Sequence, residues 1–272
     1  MEPLRRRIPA DRQRVIASIV RQSGSVRGSE LVDILGVTDE TIRRDLLQLA
    51  LSGAVRRSRG GAVAISPLDE SNTDLRLREH AAEKIAIGTR AADLVEDGSR
   101  IILDSGTTTL CLARALRQKR NLTVVTTAVT HAVELMGIAG ATVVMTGGVI
   151  RPATYGASGQ LAVATIREVH VEQVFLAIHS VSVKGGLTYP SFEEVEVKRA
   201  MIGAARRVIL LADHSKFGRE AFVKVAPMLA VHTIVTTPGI DPAEADAIRE
   251  LGIELIVAPL AIEPTDASSV TT

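Results

Sequence analysis

The chain has 272 residues, which is long for one domain and suits two, since domains usually contain roughly 100–200 residues. Hydrophobic residues make up 46% and charged residues 23%, as in globular proteins, and no run reaches the ~18 apolar residues that span a membrane. A single cysteine, Cys111, excludes an intramolecular disulfide framework, so we expect a cytoplasmic protein without membrane attachment.

Positive charge is concentrated near the N-terminus. Residues 1–60 contain 12 arginines and 7 acidic residues, a net charge of +5, while the remainder has 20 basic and 24 acidic residues, a net charge of −4. A basic head on a mildly acidic body indicates a polyanionic partner for the head. The alternative is an arginine-rich composition without such a partner, but the excess here is local.

Three short helices are predicted in the head. Asp11 can cap the first, whose apolar residues recur at helical spacing until Gly24. The second runs from about Ser29 to Gly36, and Thr38 caps the third. The tight turn between the second and third helices predicts a helix-turn-helix.

The third helix has an apolar face and a polar face. At 100° per residue, Ile42, Leu46 and Leu49 share the face that we expect to pack inward. Guanidinium groups suit both base edges and phosphates. The candidate DNA contacts of this helix are the cap and the outward residues, namely Thr38, Thr41, Arg43, Arg44 and Gln48.

A basic hairpin is predicted after the third helix. The segment GAVRRSRGGA, residues 53–62, places Arg56, Arg57 and Arg59 before the Gly60-Gly61 turn, whose glycines would let the backbone approach DNA closely. Each arginine alone would be interpreted as a solvated surface charge. Five arginines on one helix face and the adjoining hairpin favour double-stranded DNA as the partner.

The run VTDETIRRDLLQLALSGAVRRSRGGAV, residues 37–63, resembles the N-terminal winged helix-turn-helix of DeoR-family bacterial transcriptional regulators. Its TIRRDL core is among the more specific short signatures of that domain. One departure is Ser58-Arg59, where members often carry a histidine before the paired glycines. The resemblance implies that residues 1–63 form a winged helix-turn-helix that binds operator DNA.

The remainder of the chain has an α/β pattern. We predict a linker at 64–74, an α/β domain at 75–260 and a disordered tail at 261–272, with Thr73 capping a helix that ends near residues 96–99. Seven apolar runs alternate with helical segments, which predicts a mostly parallel sheet covered on both faces. These runs are RIILD (100–104), LTVVTT (122–127), ATVVMT (141–146), QVFLAI (173–178), RVILLAD (207–213), HTIVTT (232–237) and IELIVA (253–258).

Polar residues follow several of these strands, at the edge where such sheets bind ligands. In DSGTTT, residues 104–109, Gly106 permits a tight turn while the amides and hydroxyls of the three threonines, Thr107 to Thr109, face an anion. The segment is not a Walker loop, because no lysine follows a spaced second glycine. The alternative is a plain turn with an N-cap.

Similar polar groups follow other strands, and together they suit a small phosphorylated polyol. The alternative is that glycine and threonine are simply common loop residues. The groups are Thr126-Thr127, Thr146-Gly147-Gly148, Lys184-Gly185-Gly186, and Asp213 with Lys216.

The segments DSGTTT, MTGG, GGLTYPSFEEVEVKRAMIGAARRVILLADHSKFG and FVKVAP are similar to the C-terminal sensor domain of the DeoR family, whose fold is related to sugar-phosphate isomerases and deaminases. With the head, the resemblance covers nearly all of residues 9–258. The candidate effector-site residues that it implies are Asp104, Gly106, Thr107, Thr108, Thr126, Gly148, Lys198, Asp213 and Lys216. The segment LAIHSVS, residues 176–182, departs from the family pattern, so His179 either alters effector preference or is a satisfied core histidine.

An enzymatic function is the alternative, because a related fold isomerises sugars with a carboxylate base. Glu193, Glu194 and Glu196 are available carboxylates, but they lie at a predicted helix N-terminus, where the helix dipole alone explains acidic residues. The histidines show no HxxxH spacing, so the sequence does not support a metal site. We therefore expect no catalytic residues, no metal and no cofactor.

These observations predict a ligand-responsive DNA-binding regulator, a repressor of a carbohydrate-utilisation operon that a phosphorylated sugar relieves. One small head makes a small footprint, so we expect a homo-oligomer, a dimer or tetramer, on a repeated or palindromic site. The alternative is a sugar-phosphate isomerase or deaminase-like enzyme with an appended DNA-binding domain.

Overall fold

The computed structural model describes residues 9–51, 54–64 and 73–260. The chain divides into two compact units, Met1–Arg78 and Glu79–Thr272. The predicted linker lies partly, and the predicted tail wholly, outside the described residues, and the predicted domain limits stay predictions. Within the described ranges, no helix is both long and apolar enough to cross a bilayer.

The described part of the first unit combines four helices with a small antiparallel sheet of order β1-β3-β2. The predicted hairpin is confirmed, and β1 is a third strand that the sequence did not indicate. The first helix begins two residues before Asp11, which lies in its first turn, so the predicted Asp11 cap is wrong. The elements are α1 (Pro9–Ser23), β1 (Ser25–Arg27), α2 (Gly28–Leu35), α3 (Asp39–Leu51), β2 (Arg56–Ser58), β3 (Gly61–Val63) and α4 (Thr73–Arg78).

The helix-turn-helix of α2 and α3 has the predicted local chemistry. Gly36 adopts φ 64°, and its N–H closes α2 on the Val32 carbonyl at 2.9 Å. Thr38 caps α3, since its Oγ1 accepts the Thr41 N–H at 3.3 Å. The three predicted inward residues, Ile42, Leu46 and Leu49, are buried in the core of this unit.

A buried ion pair fixes α1 against α3. Asp45 is 2% exposed, and its Oδ2 accepts the Arg12 Nε–H at 2.5 Å while its Oδ1 accepts the Gln13 Nε2–H at 3.0 Å. Asp45 is the aspartate of the TIRRDL segment. The helix therefore points its acid inward and the two preceding arginines outward.

The second unit has a parallel seven-stranded sheet with helices on both faces, which confirms the predicted α/β fold class. All seven predicted strands belong to this sheet. The strands are β4 (Arg100–Leu103), β5 (Thr123–Thr126), β6 (Thr142–Met145), β9 (Val171–Ala177), β12 (Ala205–Leu211), β14 (Thr233–Thr236) and β15 (Glu254–Val257). The helices are α5 (Ala81–Ala92), α6 (Thr107–Ala115), α7 (Val129–Leu135), α8 (Gln160–Arg167), α9 (Val195–Ala204) and α10 (Pro242–Glu250).

The strand order β15-β14-β12-β9-β4-β5-β6 reverses between β9 and β4. The chain runs outward from β4 to β6, returns to β9 beside β4, and then runs outward to β15. Ligands of open α/β sheets bind beyond the carboxyl ends of the strands at such a reversal. The topology therefore directs attention to the residues after β4 and β9.

Two predictions about local structure are wrong. The single helix expected from Thr73 is two helices, because α4 ends at Arg78 and His80 adopts the left-handed conformation, φ 51°, before α5. Lys184-Gly185-Gly186 does not follow a parallel strand but turns a hairpin between β10 (Ser180–Ser182) and β11 (Gly186–Tyr189). Short antiparallel strands pair beside the main sheet, β11 with β13 (Val223–Ala226) and β7 (Val149–Ile150) with β8 (Ala157–Ser158).

Replacing Asp45 by Ala should destabilise the first unit by about 2–3 kcal/mol. Breaking a buried ion pair typically costs about 3–5 kcal/mol, and Arg12, whose side chain is 14% exposed, recovers part of this from water. Urea unfolding followed by circular dichroism measures the change. The matched control is Asp39→Ala, which removes the exposed Asp39–Arg43 pair and should cost less than about 1 kcal/mol. Equal losses in both variants would contradict a buried role for Asp45.

Candidate nucleic-acid interface and strand-end pocket

The outer face of α3 presents polar side chains to solvent. Arg43, Arg44 and Gln48 are exposed, and Thr41 is half-buried with its hydroxyl 2.9 Å from that of Thr38. Arg43 forms an exposed ion pair with Asp39, Nε to Oδ2 at 2.9 Å. Among the described residues no carboxylate lies within ion-pair distance of Arg44, so its guanidinium is available to a partner.

The hairpin of β2 and β3 places three more arginines beside this face. Arg56 and Arg57 lie on β2 and Arg59 in the turn, and all three are exposed. A cleft of about 480 Å³ separates α3 from the hairpin and is lined by Arg43 and Arg57 among others. The structure therefore brings Arg43 of the helix and Arg57 of the hairpin to one cleft, and the DNA-contacting role of the predicted residues stays a prediction.

Gly61 has a different role from the one expected. A Cβ at Gly61 would lie 2.1 Å from the Val26 carbonyl oxygen, so the close approach of β1 requires glycine here. Gly60 adopts φ 83° in the turn, and its carbonyl accepts the Gly28 N–H at 2.8 Å. Both glycines thus serve the packing of the hairpin itself.

In the second unit, Asp104 lies at the reversal of the sheet. It follows β4, is 2% exposed, and its Oδ2 accepts the N–H of Ala177, the last residue of β9, at 3.1 Å. The same oxygen accepts a hydrogen bond from Lys198 Nζ at 2.5 Å. Burial raises the pKa of Asp104, and the positive charge of Lys198 opposes this shift.

Lys198 comes from α9 and is also 2% exposed. Its Nζ also donates to the Ala177 carbonyl at 3.0 Å, and it stands 3.9 Å from Glu194 Oε2 and 4.9 Å from the centre of the Tyr189 ring. An ammonium has three protons to donate. Lys198 is therefore largely satisfied within the protein.

The predicted anion loop, residues 104–109, opens α6 next to this pair. A Cβ at Gly106 would lie 2.6 Å from the Ala177 Cβ, so the loop approaches β9 closely. No side chain caps α6, whose first-turn amides lack intrahelical acceptors. Thr107 and Thr108 line this helix start, each 7% exposed.

Thr109 supports the loop from behind. Its hydroxyl donates to the Gly106 carbonyl at 3.0 Å and lies 3.0 Å from His131 Nε2. Because the hydroxyl proton goes to the carbonyl, Nε2 carries the imidazole proton and donates it to Thr109. Burial, with the nearby charge of Arg114, lowers the pKa of His131 to about 3. The imidazole is therefore neutral at physiological pH. The Thr109 hydroxyl was expected to face an anion, but it is engaged by Gly106 and His131 instead.

Two predicted effector residues lie near the other strand ends and make local contacts. The Thr126 Oγ1 accepts the Ala128 N–H at 3.2 Å after β5. A Cβ at Gly148 would lie 2.4 Å from the Ser158 carbonyl oxygen, so this glycine allows β8 to pack against the segment after β6. The role of both residues toward an effector stays a prediction.

The acidic residues before α9 are not explained by the helix dipole alone. Glu194 is buried, and its Oε1 accepts hydrogen bonds from Thr154 Oγ1 at 2.7 Å and Arg151 Nη1 at 2.9 Å. Arg151 Nη2 also pairs with Glu193 at 2.6 Å. Burial would raise the pKa of Glu194, but the charges of Lys198 and Arg151 and the Thr154 hydrogen bond outweigh it and lower the pKa.

Asp213 and Lys216 form a separate group after β12. Asp213 is 1% exposed, and its Oδ1 accepts hydrogen bonds from Ser215 N and Oγ at 3.0 and 2.5 Å. No hydrogen bond or ion pair between described residues joins this group to Asp104 or Lys198. Two groups can thus be named: the switch-point group, which consists of Asp104, Gly106, Thr107, Thr108 and Lys198, and the β12 group, which consists of Asp213 and Lys216. Thr126 and Gly148 lie at other strand ends and belong to neither group.

Next to the β12 group lie three residues that the sequence did not indicate as a cluster. His80, Glu83 and His214 offer ligand atoms that lie within 4.8 Å of one another. Buried polar atoms without a hydrogen-bond partner among the described residues occur on Asp213, on His214 and on the next strand end, at Thr236 and Thr237. Spacing could not reveal this set, because His214 lies far along the chain from His80 and Glu83. The expectation that the protein binds no metal stays a prediction, which this grouping opposes.

His179 is half-buried after β9. Its Nδ1 lies 2.9 Å from Ser180 Oγ, and its ring meets Tyr189 edge-to-face at 6.4 Å. These contacts are those expected of a histidine satisfied within the fold.

Two family models match the chain. The DeoR-like helix-turn-helix domain matches residues 12–67, and the DeoR C terminal sensor domain matches residues 79–237. The two matches fall in the two units of the structure.

Curated relatives match most of the chain. An uncharacterized HTH-type transcriptional regulator, YulB of Bacillus subtilis (strain 168), is 36% identical over 92% of this chain and 97% of its own length. The glycerol-3-phosphate regulon repressor of Escherichia coli (strain K12) is 33% identical over 81% of this chain and 88% of its own length.

Among solved structures, ribose 5-phosphate isomerase A from Methanocaldococcus jannaschii aligns with 51% of this chain and 55% of its own, at a TM-score of 0.37 and 17% identity. A likeness this distant carries no inference about activity.

We predict that His131 makes the second unit acid-labile. The unfolded histidine takes up a proton below about pH 6.5, whereas the buried one does so only near pH 3, so stability falls as pH decreases between these values. The slope is roughly 1.4 kcal/mol per pH unit. Replacing His131 by Gln should therefore remove roughly 2 kcal/mol of the stability loss between about pH 7 and pH 5, measured by urea unfolding.

The control is His170→Gln, which changes an exposed histidine and should leave the wild-type pH dependence in place. An unchanged pH dependence in the folded His131→Gln protein would show that His131 is accessible to protons in the native state.

Proposed function

Because the chain belongs to the DeoR family of transcriptional regulators, we propose that it is a DNA-binding repressor of a carbohydrate-catabolism operon, relieved by a small phosphorylated sugar. The main supporting observation is that one chain combines an arginine-bearing helix-turn-helix with polar residues at the strand-order reversal of a parallel sheet. A repressor acts where the DNA is, so we place the protein in the cytoplasm.

The DNA interface that we propose consists of α3 in the major groove and the hairpin against the backbone. Arg44 and Gln48 are exposed on the outer face of α3, where fork-shaped and amide groups can read base edges. Arg43 is paired with Asp39 and must leave this ion pair to contact DNA. We therefore assign Arg43 to a phosphate contact rather than to base readout. Arg56, Arg57 and Arg59 on the hairpin supply further phosphate contacts.

One helix and one hairpin cover only a short stretch of DNA. Specific operators therefore require two or more heads, and two-fold protein symmetry matches a palindromic site. We propose that the protein binds as a homo-oligomer, a dimer or tetramer.

The proposed effector site is the switch-point group. The uncapped start of α6 offers backbone amides to a phosphate, and Thr107 and Thr108, whose hydroxyls can add hydrogen bonds, are the first two residues of this helix. Asp104 and Lys198 hold β4, β9 and α9 together beside it. An effector can relieve repression only if it binds the DNA-free state more tightly than the DNA-bound state.

The contacts of the buried carboxylates disfavour the isomerase alternative. Asp104 is hydrogen-bonded to Lys198 and a backbone amide, and Glu194 to Arg151 and Thr154. A general base must reach a substrate proton, and these groups are engaged within the fold. We assign them to positioning the strand ends.

The function is tested by titrating the purified protein with the DNA upstream of its own gene, with and without a panel of sugar phosphates. We expect specific binding that one phosphorylated sugar releases without being consumed. Specific DNA binding that no sugar phosphate in the panel weakens would contradict the effector proposal. Sugar-phosphate turnover without specific DNA binding would establish the enzyme instead.

We predict that Arg44→Ala loses about 1–3 kcal/mol of discrimination between operator and random DNA, because a base contact is lost. Fluorescence anisotropy on both DNAs measures this difference. Arg57→Ala should instead weaken binding to both DNAs and reduce the salt slope by about 1. The control is Arg90→Ala, an exposed arginine of the second unit paired with Asp93. Wild-type discrimination by Arg44→Ala would refute the placement of α3.

We predict that the double variant Thr107→Ala, Thr108→Ala binds the operator normally but needs at least tenfold more effector for release. Losing hydroxyl hydrogen bonds to a charged group costs about 1.5–3 kcal/mol, which is tenfold or more in affinity. The effector concentration for half-release of labelled operator measures this shift. Thr142→Ala, at an exposed position that starts β6, is the control. Unchanged release would move the effector away from α6.

A further inference from the structure

Two histidines and a glutamate from distant parts of the second unit meet after β12. His80 precedes α5, Glu83 lies in the first turn of α5, and His214 follows β12. One ligand atom from each lies within 4.8 Å of the other two. The His80 and His214 rings meet edge-to-face at 5.3 Å between centroids.

The separations suit ligands of a single ion. His80 Nδ1 and Glu83 Oε1 are 3.0 Å apart. Two ligands each about 2.0–2.1 Å from one ion lie about 2.9–3.4 Å apart in octahedral or tetrahedral geometry. This pair can therefore coordinate one ion almost without moving, and His214 needs only a small side-chain rotation to join it.

The backbone around these residues sets the imidazoles in place. His80 adopts the left-handed conformation, φ 51°, which is uncommon for a residue with a side chain. Gly239 leaves room for the His214 ring, since a Cβ there would lie 3.2 Å from its Cγ. These features orient the rings but do not themselves show what the rings bind.

Unpartnered polar atoms at the same place point to a ligand. Asp213 is 1% exposed, and its Oδ2 has no hydrogen-bond partner among the described residues. The buried Nδ1 of His214 has none either. A buried polar atom without a partner costs about 1–3 kcal/mol, so a group that satisfies several of them is favoured here.

The charges and ligand types around the cluster determine which ions it prefers. Asp213 interacts electrostatically with Lys216, His80 and Lys84, so lysines already offset part of its charge. The ligands for an ion are then two imidazole nitrogens and the Glu83 carboxylate, with Asp213 as an outer negative charge. Two nitrogen ligands and one carboxylate select first-row transition metals over magnesium or calcium.

We propose that His80, Glu83 and His214 bind a divalent transition-metal ion of the zinc class. Coordination by both residues replaces the His80–Glu83 hydrogen bond, and the remaining coordination positions stay open to water or to an oxygen of another ligand. The site does not depend on the proposed effector, because the metal alone is the probe.

The test is a calorimetric zinc titration of the tag-free full chain after dialysis against a chelator. We expect one zinc ion per chain, and no binding of magnesium under the same conditions. His80→Gln and His214→Gln should each reduce zinc affinity at least tenfold. The control is His170→Gln, an exposed histidine outside the cluster, which should bind zinc like the wild type.

X-ray absorption of the zinc-loaded wild type provides a measurement that needs no variant. Two imidazole ligands together with oxygen donors are expected. Absence of stoichiometric zinc, fewer than two imidazole ligands, or wild-type zinc affinity in the two cluster variants would overturn the site and leave His80 and Glu83 as a hydrogen-bonded pair.

Discussion

The buried carboxylate of Asp104 is the constraint on which the larger unit depends. The sheet reverses its strand order between β4 and β9, so two strand ends with different connections must be held side by side. Asp104 does this by accepting the Ala177 N–H and the Lys198 ammonium, while Lys198 also bonds the Ala177 carbonyl. Removing either partner would leave a charge buried without compensation, which is far more costly than losing a surface pair.

The smaller unit uses a buried aspartate in a comparable way. Asp45 ties α3 to α1 through Arg12 and Gln13, and this contact fixes the rotation of α3 about its axis. Asp45 and Leu46 are both buried, and Arg44 lies 100° from Asp45 on the side away from Leu46, so a helix that turns this pair inward turns Arg44 outward. The segment TIRRDL therefore encodes both the anchor of the helix and the surface that it presents.

The sequence predicted the elements that depend on local patterns. The seven apolar runs became the seven strands of one sheet, and the α3 apolar stripe was buried as expected. What it could not predict depends on contacts between distant residues. Asp45 of the TIRRDL segment can be buried because Arg12 of α1 pairs with it. Glu194 can be buried because Arg151, from a distant loop, pairs with it.

The break before α5 and the cluster beside it were missed for the same reason. Nothing in the spacing of Thr73, Leu77 and Ile85 opposes a continuous helix, yet His80 leaves the helical conformation. His80 and Glu83 meet His214 only because β12 lies where the sheet topology places it. Periodicity describes one element at a time, so it cannot predict a site that the start of α5 and the segment after β12 form together.

The two groups at the strand ends offer a ligand different kinds of interaction. At the switch point, Lys198 and Arg151 are matched by Asp104, Glu193 and Glu194, so no surplus positive charge remains to attract an anion. A phosphate there must be held by the amides and hydroxyls at the start of α6, which are directional and therefore sensitive to ligand shape. After β12, by contrast, several buried polar atoms lack hydrogen-bond partners among the described residues. A ligand bound after β12 would therefore gain hydrogen bonds that the fold leaves unmade, whereas a ligand at the switch point would meet charges that are already paired.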